Sequence, residues 1–305
     1  MKELSESSLK IYNGNLNSIS KAINVVRDDK EKWLETNSKQ IIDYIKTKQS
    51  NHTQKNLYSA VIAIGKRKKI SEKVLKPFEN EMYGSAVEVE QQYETNQMSD
   101  KQKDNWITSE QLDKRIMEMR AGLPSVIDSY SKYKKLMIYL VVLIHSKIPL
   151  RNDLVDAKIY HDKDLPKELS KEANYVIIGS KPRIILNVYK TAKDYGEKII
   201  PLDKTINDEL LKYYDEITAF SGNHWFLVQK ERDENLGRTQ FINWFQSAFP
   251  GKKVGTTMLR TMAVSEMYEV KPEQYKKEQA LAEIMGHSVG TARLKYAKVL
   301  PPTQK

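Results

Sequence analysis

The sequence predicts a mainly helical α+β protein with a small antiparallel β-sheet, divided into two domains. The length of 305 residues favours two domains rather than one. Apolar residues recur at steps of three and four in most of the chain, which indicates amphipathic helices. Three short β-like runs fall together between residues 175 and 202. We place the boundary near residue 102, so that 1–102 is a helical domain and 103–305 is a mixed domain.

The first domain shows helical spacing and ends its third helix in a basic run. Apolar residues mark helices at 9–23, 33–45 and 56–64. The third helix closes with the consecutive cations Lys66, Arg67, Lys68 and Lys69. This run is either a solvated helix end or a set of contacts to DNA phosphates.

The segment that follows is acidic and polar. Residues 1–69 carry 14 basic and 7 acidic side chains, whereas residues 70–100 carry 2 basic and 7 acidic ones. Residues 91–105 are almost wholly polar. This composition predicts an acidic helical connector that faces solvent and ends in a linker before the second domain.

The second domain begins with a helix at Thr108 and continues with a strongly apolar helix at 133–148, which ends before Pro149. Turn residues then separate the β-like runs from one another. The predicted strands lie at 175–178, 184–189 and 198–202. Helical patterns resume at 207–220, 239–249, 256–268, 278–285 and 291–299.

Composition excludes several classes of function. The net charge of +10 and the pI near 9.3 indicate either an ordinary basic soluble protein or a protein with a polyanionic partner, for which nucleic acid fits best. The chain has no cysteine, and its five histidines lack metal-ligand spacing, so we expect neither a disulfide scaffold nor a metal site. No apolar run is long enough to cross a bilayer, and the first residues lack a signal core. We therefore expect a soluble intracellular protein without a membrane partner.

The residues that carry candidate chemistry are cations beside apolar secondary structure. There is no phosphate-binding glycine loop and no nucleophile elbow. Arg151 directly follows the apolar helix, and Arg260 lies within another apolar helix. Lys190 ends a strand pattern and His287 follows a glycine. A buried arginine is costly unless it meets an anion, so each of these cations either binds an anionic ligand, pairs with a carboxylate or extends to solvent.

The order of these residues resembles the tyrosine recombinase (phage integrase) family. That family has an arginine after an apolar helix, a lysine on a β-hairpin, an HxxR box, a GH box, and a tyrosine nine residues after the second histidine. In this chain the corresponding segments are Pro149-Leu150-Arg151, Tyr189-Lys190-Thr191, Thr257-Met258-Leu259-Arg260 and Gly286-His287-Ser288, with Tyr296 nine residues after His287. The resemblance spans about residues 105–300. Residues 1–102 resemble the helical core-binding domain of the family.

The resemblance implies a reaction and a role for each residue. Tyr296 would be the nucleophile that forms a 3′-phosphotyrosyl link to DNA. Arg151 and Arg260 would hold the phosphate, Lys190 would act as general acid, and His287 would bond the phosphate or the phenol. It implies no cofactor, no metal and no ATP. The partner would be double-stranded DNA, bound by a homo-tetramer on paired sites in a mobile element or a virus.

The chain departs from the family pattern at three points. Thr257 stands where the HxxR box usually has its histidine, and a threonine hydroxyl cannot act as an acid or base near neutral pH. Asp153 and Asp156 are both candidates for the acidic residue that usually follows the first arginine. Only nine residues follow Tyr296, fewer than a helix exchanged between subunits would need.

Two alternatives to a site-specific recombinase remain open at this point. The first is a type IB topoisomerase-like or resolving enzyme with the same site. The second is a catalytically silent DNA-binding clamp, for which Thr257 is the motivating observation. The sequence specifies neither the DNA target nor a choice between integration, excision and resolution.

Overall fold

The computed structural model describes residues 4–94, 98–230, 234–268, 277–278, 280–281 and 284–286. It is mainly helical with one small β-sheet, which confirms the predicted α+β class. The chain divides into two compact units. Residues 4–94 form most of the first, together with the described residues between 277 and 286, and residues 98–230 and 234–268 form the second.

The first unit is a bundle built around the fourth of its helices. The serine at position 5 caps the first helix, because its hydroxyl accepts a hydrogen bond from the Ser8 amide at 3.2 Å. The core is made of buried residues such as Leu16, Ile41 and Val61. The helices are α1 (Glu6–Ala22), α2 (Trp33–Thr36), α3 (Ser38–Lys46), α4 (Asn51–Arg67) and α5 (Glu72–Glu94).

The acidic segment is part of this bundle, which corrects the prediction of a solvent-facing connector. Leu75 and Phe78 of α5 are fully buried in the core of the first unit, where α5 packs against α4. The apolar residues of α5 recur at helical spacing, so one face is buried while the acidic face meets solvent. The predicted linker also contains a helix, α6 (Asp100–Asn105), which starts with a capping box between Ser99 and Gln102.

The second unit is organised around a single buried helix. This helix, α8 (Tyr130–Lys147), is apolar on nearly every side and contacts helices from both earlier and later parts of the unit. Its residues Leu136, Leu140 and Ile144 are fully buried. The helices after α6 are α7 (Ser109–Ala121), α8 (Tyr130–Lys147), α9 (Ala192–Tyr195), α10 (Lys204–Lys212), α11 (Tyr214–Phe220), α12 (Arg238–Ser247) and α13 (Thr256–Tyr268).

The sheet is mixed rather than antiparallel. Its strands lie side by side in the order β1 (Ala157–His161), β2 (Asn174–Ile178), β3 (Arg183–Leu186) and β4 (Lys198–Pro201). The strand missed from the sequence, β1, pairs parallel to β2, while the β2–β3 and β3–β4 pairs are antiparallel. Two parallel strands need a connection that brings the chain back to the end of the sheet where the first strand began. The connection between β1 and β2 provides this return.

Two predicted elements differ from their sequence patterns. The strand expected at 184–189 stops at Leu186, so the residues up to Lys190 belong to the connection between β3 and β4. The helix expected at 207–220 is divided at Tyr213, whose backbone leaves the helical region between α10 and α11. Among the helices that the structure describes, none combines the length and apolarity needed to cross a membrane.

Candidate active site

Three arginine side chains lie within electrostatic range of one carboxyl group in the second unit. They belong to Arg151, Arg238 and Arg260, and each influences the charge state of Asp153. Burial raises the pKa of the Asp153 carboxyl above its ordinary value, and the nearby guanidiniums work against that rise. Asp153 therefore lies within electrostatic range of the two arginines expected from the sequence and of Arg238, which sequence reasoning missed. We refer to Arg151, Arg238 and Arg260 as the arginine cluster.

The two carboxylates that the sequence left as alternatives have different surroundings. Asp153 is half-buried and lies within electrostatic range of the arginines. Asp156 is exposed and accepts a hydrogen bond from Asn235 Nδ2 at 2.6 Å. Of the two, Asp153 is therefore the carboxylate associated with the arginine cluster.

Helix α13 presents Arg260 to the segment that follows α8. Thr256 and Arg260 are four residues apart and so lie on one face of the helix. The Thr256 hydroxyl is buried and donates a hydrogen bond to Asn152 Oδ1 at 2.8 Å. Leu259 and Met262 pack into the core of the unit. The helix is thus fixed on its apolar side, and its polar side is tied to the residue next to Arg151.

A buried histidine contacts the backbone of Arg151. His145 lies in the last turns of α8, and only 2% of its surface is exposed. Its Nδ1 lies 2.8 Å from the Val141 carbonyl oxygen, and its Nε2 lies 3.1 Å from the Arg151 carbonyl oxygen. Both ring nitrogens therefore face acceptors, and a neutral imidazole can donate to only one of them. The ring also packs edge-on against Phe245.

The lysine expected to be the general acid lies in the β3–β4 connection. The Lys190 side chain is exposed. Its neighbour Tyr189 donates a hydrogen bond from its hydroxyl to the Gly196 carbonyl oxygen at 2.7 Å, which closes this connection on itself. Burial raises the pKa of Tyr189, and the Asp153 charge contributes to that rise. The segment that carries Lys190 therefore comes within electrostatic range of Asp153.

Arg238 follows a glycine with a left-handed backbone conformation. Gly237 has φ of +75°, a left-handed conformation that an L side chain rarely adopts, and it is the N-cap of α12. Arg238 is the first residue of that helix and is exposed. The glycine before a helical pattern was the available sequence signal, but it does not indicate which other segments lie nearby.

The remaining sequence-predicted residues are placed differently. Thr257 is exposed, and its carbonyl oxygen accepts a hydrogen bond from the Thr261 hydroxyl at 3.0 Å. At the start of α13 it is thus Thr256, not Thr257, whose hydroxyl bonds to the Arg151 segment. His287 and Tyr296 lie outside the described residues. Within the described parts of the chain, no cluster of three metal-ligating side chains is found.

The basic run of the first unit lies beside acidic side chains. All four of its cations are exposed at the end of α4. Lys66 forms an ion pair with Glu79 at 2.7 Å, and this hydrogen bond lowers the pKa of the Glu79 carboxyl. A cavity of about 430 Å³ is lined by Arg67 and Lys68 on one side and by several acidic residues, including Asp28, on another. The run is therefore not a uniformly cationic surface.

Stability should depend on pH through His145. Burial lowers the pKa of the His145 imidazole, although its hydrogen bonds to backbone carbonyls oppose this. The unfolded chain then binds a proton more readily than the folded one, so the free energy of unfolding should fall as pH drops below about 6.5. The slope from this group is at most about 1.4 kcal/mol per pH unit.

Urea unfolding at pH 7 and pH 5 measures this effect. We expect His145→Gln to lose less stability on acidification than the unsubstituted protein. His52→Gln is the matched control for replacing an exposed histidine. An unchanged pH dependence in His145→Gln would show that other groups cause it.

Comparison with known proteins gives few matches. No protein-family model matches the chain, and no curated protein matches it. Among solved structures, the crystal structure of XerA recombinase is similar over 97% of this chain and 90% of that chain, with 16% sequence identity and a TM-score of 0.36. Likeness at this level carries no argument about function, which must be argued from the residues of this chain.

Proposed function

We propose that the protein cleaves and rejoins DNA strands through a covalent tyrosyl intermediate, as a site-specific recombinase. The observation that supports this proposal is that Arg151 and Arg260 both lie within electrostatic range of the Asp153 carboxyl group. In this proposal the two arginines, from distant parts of the sequence, form one cationic site, and the hydrogen bonds of Asn174 place the Lys190 segment near Asp153. A phosphodiester suits such a site, because paired guanidinium hydrogen bonds match its oxygens.

The proposed reaction proceeds by attack of the Tyr296 phenolate on phosphorus. The phenolic proton leaves to solvent, a bond forms between the tyrosine oxygen and phosphorus, and the bond from phosphorus to the 5′ oxygen breaks. Lys190 gives the departing 5′ oxygen a proton and regains one from solvent. Attack of a 5′ hydroxyl on the phosphotyrosyl link reverses these steps, so the strand is resealed without ATP.

The cationic residues stabilise the charge that develops on the phosphate oxygens. Arg151 and Arg260 lie on segments that are fixed by His145 and Thr256, which makes the site preorganised. Asp153 is in range of both and can orient a guanidinium through its carboxylate. His287 is proposed to bond either the phosphate or the attacking phenol. No step in this scheme requires a metal ion.

DNA binding is proposed to follow from the net charge of +10. Duplex DNA would be held by the two domains, 1–102 and 103–305, with four subunits assembled on two paired sites. Binding of this kind weakens steeply with salt, with a slope of about 0.9 in log affinity for each phosphate contacted. Because the proposed substrate is DNA, we place the protein inside the cell.

The test is a covalent trap on nicked DNA. Duplexes with a nick inside a randomised sequence release the short 5′-ended strand after cleavage, so the phosphotyrosyl link cannot be resealed. We expect a protein–DNA band that resists denaturation and is absent in Tyr296→Phe. Tyr275→Phe is the matched control, because Tyr275 is another tyrosine of the same C-terminal part of the chain, and this variant should still form the band.

Salt-sensitive DNA binding without any covalent band would favour the silent clamp. The specific observation behind that alternative is Thr257, which cannot transfer protons where the family has a histidine. In that case Thr257→His is the next variant, and recovery of the band would indicate that the threonine had silenced the site. Relaxation of supercoiled DNA without a preferred site would favour the topoisomerase-like alternative.

A further inference from the structure

Asn174 joins two segments of the candidate active site. It is the first residue of β2, and 2% of its surface is exposed. Its Nδ2 donates to the Asp153 carbonyl oxygen at 2.8 Å and to the Val188 carbonyl oxygen at 2.9 Å. Its Oδ1 accepts from the backbone amides of Asn187 and Val188, at 2.9 and 2.8 Å.

These four hydrogen bonds use the whole capacity of the side-chain amide, which has two donors and two acceptor sites. Each partner is a backbone group. The amide therefore forms the hydrogen bonds that a neighbouring strand would otherwise form with the chain around residue 188. A buried amide with every hydrogen bond made holds its partners in one geometry, because breaking any bond leaves a polar group unsatisfied.

The two segments held by Asn174 carry different predicted functions. Asp153 lies two residues after Arg151 and within electrostatic range of the arginine cluster. Val188 lies two residues before Lys190 in the β3–β4 connection. Among the hydrogen bonds described between side chain and backbone, those of Asn174 tie the Arg151 segment directly to the connection that carries Lys190.

We propose that Asn174 is a positioning residue that sets where Lys190 stands relative to the phosphate held by the arginines. The inference rests on the proposed function, in which Lys190 protonates the departing 5′ oxygen. Proton transfer requires hydrogen-bond distance between donor and acceptor, and a displacement of about 1 Å can lower a rate by about 100-fold.

The substitution Asn174→Asp separates this role from general stability. The carboxylate keeps the shape and the acceptor oxygen but loses both N–H donors, so the bonds to the Asp153 and Val188 carbonyls are lost. Asn207→Asp is the matched control. Asn207 is also a buried asparagine, and it bonds both the amide and the carbonyl of Gly179 at the opposite end of the β2–β3 hairpin.

The catalytic readout compares two substrates. In one the 5′ leaving atom is oxygen, and in the other a bridging 5′ sulfur replaces it. A thiolate leaves without protonation, since a thiol has a pKa near 8.5, so the sulfur substrate does not need a general acid. We expect Asn174→Asp to cleave the oxygen substrate about 10- to 100-fold more slowly. The sulfur substrate should be cleaved at nearly the rate of the unsubstituted protein, as it should be by Lys190→Ala.

A structural readout does not depend on cleavage activity. Trypsin cuts after exposed lysines, so cutting after Lys190 reports the freedom of the β3–β4 connection. We expect faster cutting there in Asn174→Asp than in Asn207→Asp. If Asn174→Asp fails to fold, Val188→Pro is the second variant, because Val188 is exposed and proline lacks the N–H that donates to Asn174 Oδ1. This variant should shift both readouts in the same direction.

The outcomes distinguish this inference from the function on which it rests. Equal slowing of Asn174→Asp on oxygen and sulfur, or unchanged trypsin cutting after Lys190, overturns the positioning role. Failure of the unsubstituted protein to cleave either substrate overturns the proposed function, and the trypsin comparison still decides whether Asn174 holds the connection. Slowing on oxygen alone together with faster cutting supports the inference.

Discussion

Arg260→Ala should lower the rate of covalent complex formation by about 100- to 1,000-fold, the usual cost of removing one group that stabilises transition-state charge. Arg260 lies in range of Asp153 and is carried by a helix whose start bonds to the Arg151 segment. The substitution removes one side of the proposed phosphate clamp. DNA affinity should change far less, because duplex binding is distributed over many cations.

Arg260→Lys tests whether the geometry of the guanidinium matters. Lysine keeps the charge but lacks the planar pair of donors, so the expected order of rates is unsubstituted protein, then lysine variant, then alanine variant. Arg183→Ala is the control, since Arg183 lies on β3 and bonds the Lys181 carbonyl away from the cluster. Loss of DNA binding in Arg260→Ala equal to its loss of cleavage would contradict a role in catalysis.

Tyr133→Ala should destabilise the second unit by about 3–5 kcal/mol, the usual range for truncating a buried aromatic side chain. Tyr133 is fully buried in α8 and stacks on Phe220, with ring centroids 5.0 Å apart. Its hydroxyl donates to the Phe226 carbonyl oxygen at 3.2 Å and accepts from the Val228 amide at 3.3 Å. The substitution would leave a cavity and two unsatisfied backbone groups.

Urea unfolding followed by tryptophan fluorescence measures this effect, because three of the four tryptophans lie in the second unit. Tyr133→Phe keeps the ring and loses only the hydroxyl, so it should cost about 1–3 kcal/mol. Tyr195→Ala is the exposed control and should change the free energy of unfolding by no more than about 0.5 kcal/mol. A cost for Tyr133→Ala below that of Tyr133→Phe would contradict the packing described here.

The sequence predicts the helical elements of this fold best where a strong pattern has clear ends. Helix α13 begins at Thr256, as predicted, and the apolar helix that became α8 differs from its prediction mainly at its start. Strand β1 was missed because Lys158 and His161 interrupt its apolar residues, so it lacks the continuous apolar run of β2. The buried face of α5 was missed because its acidic residues dominated the composition.

The candidate site could be predicted only in part, for a physical reason. Arg151 and Arg260 stood out because an arginine beside apolar residues needs an anionic partner. Nothing in the sequence near Asn174 or His145 indicates that their side chains bond backbone groups of distant segments, since those contacts exist only once the sheet and α8 are packed. The choice of Asp153 over Asp156 likewise required the placement of the arginines.

The most direct test of the central claim is identification of the residue that becomes linked to DNA. The covalent complex formed on nicked duplexes is digested with a nuclease and a protease, and the nucleotide-bearing peptide is sequenced by mass spectrometry. We predict a phosphotyrosyl link between Tyr296 and a 3′ phosphate. Attachment at another residue, or through a 5′ phosphate, would contradict the proposed reaction.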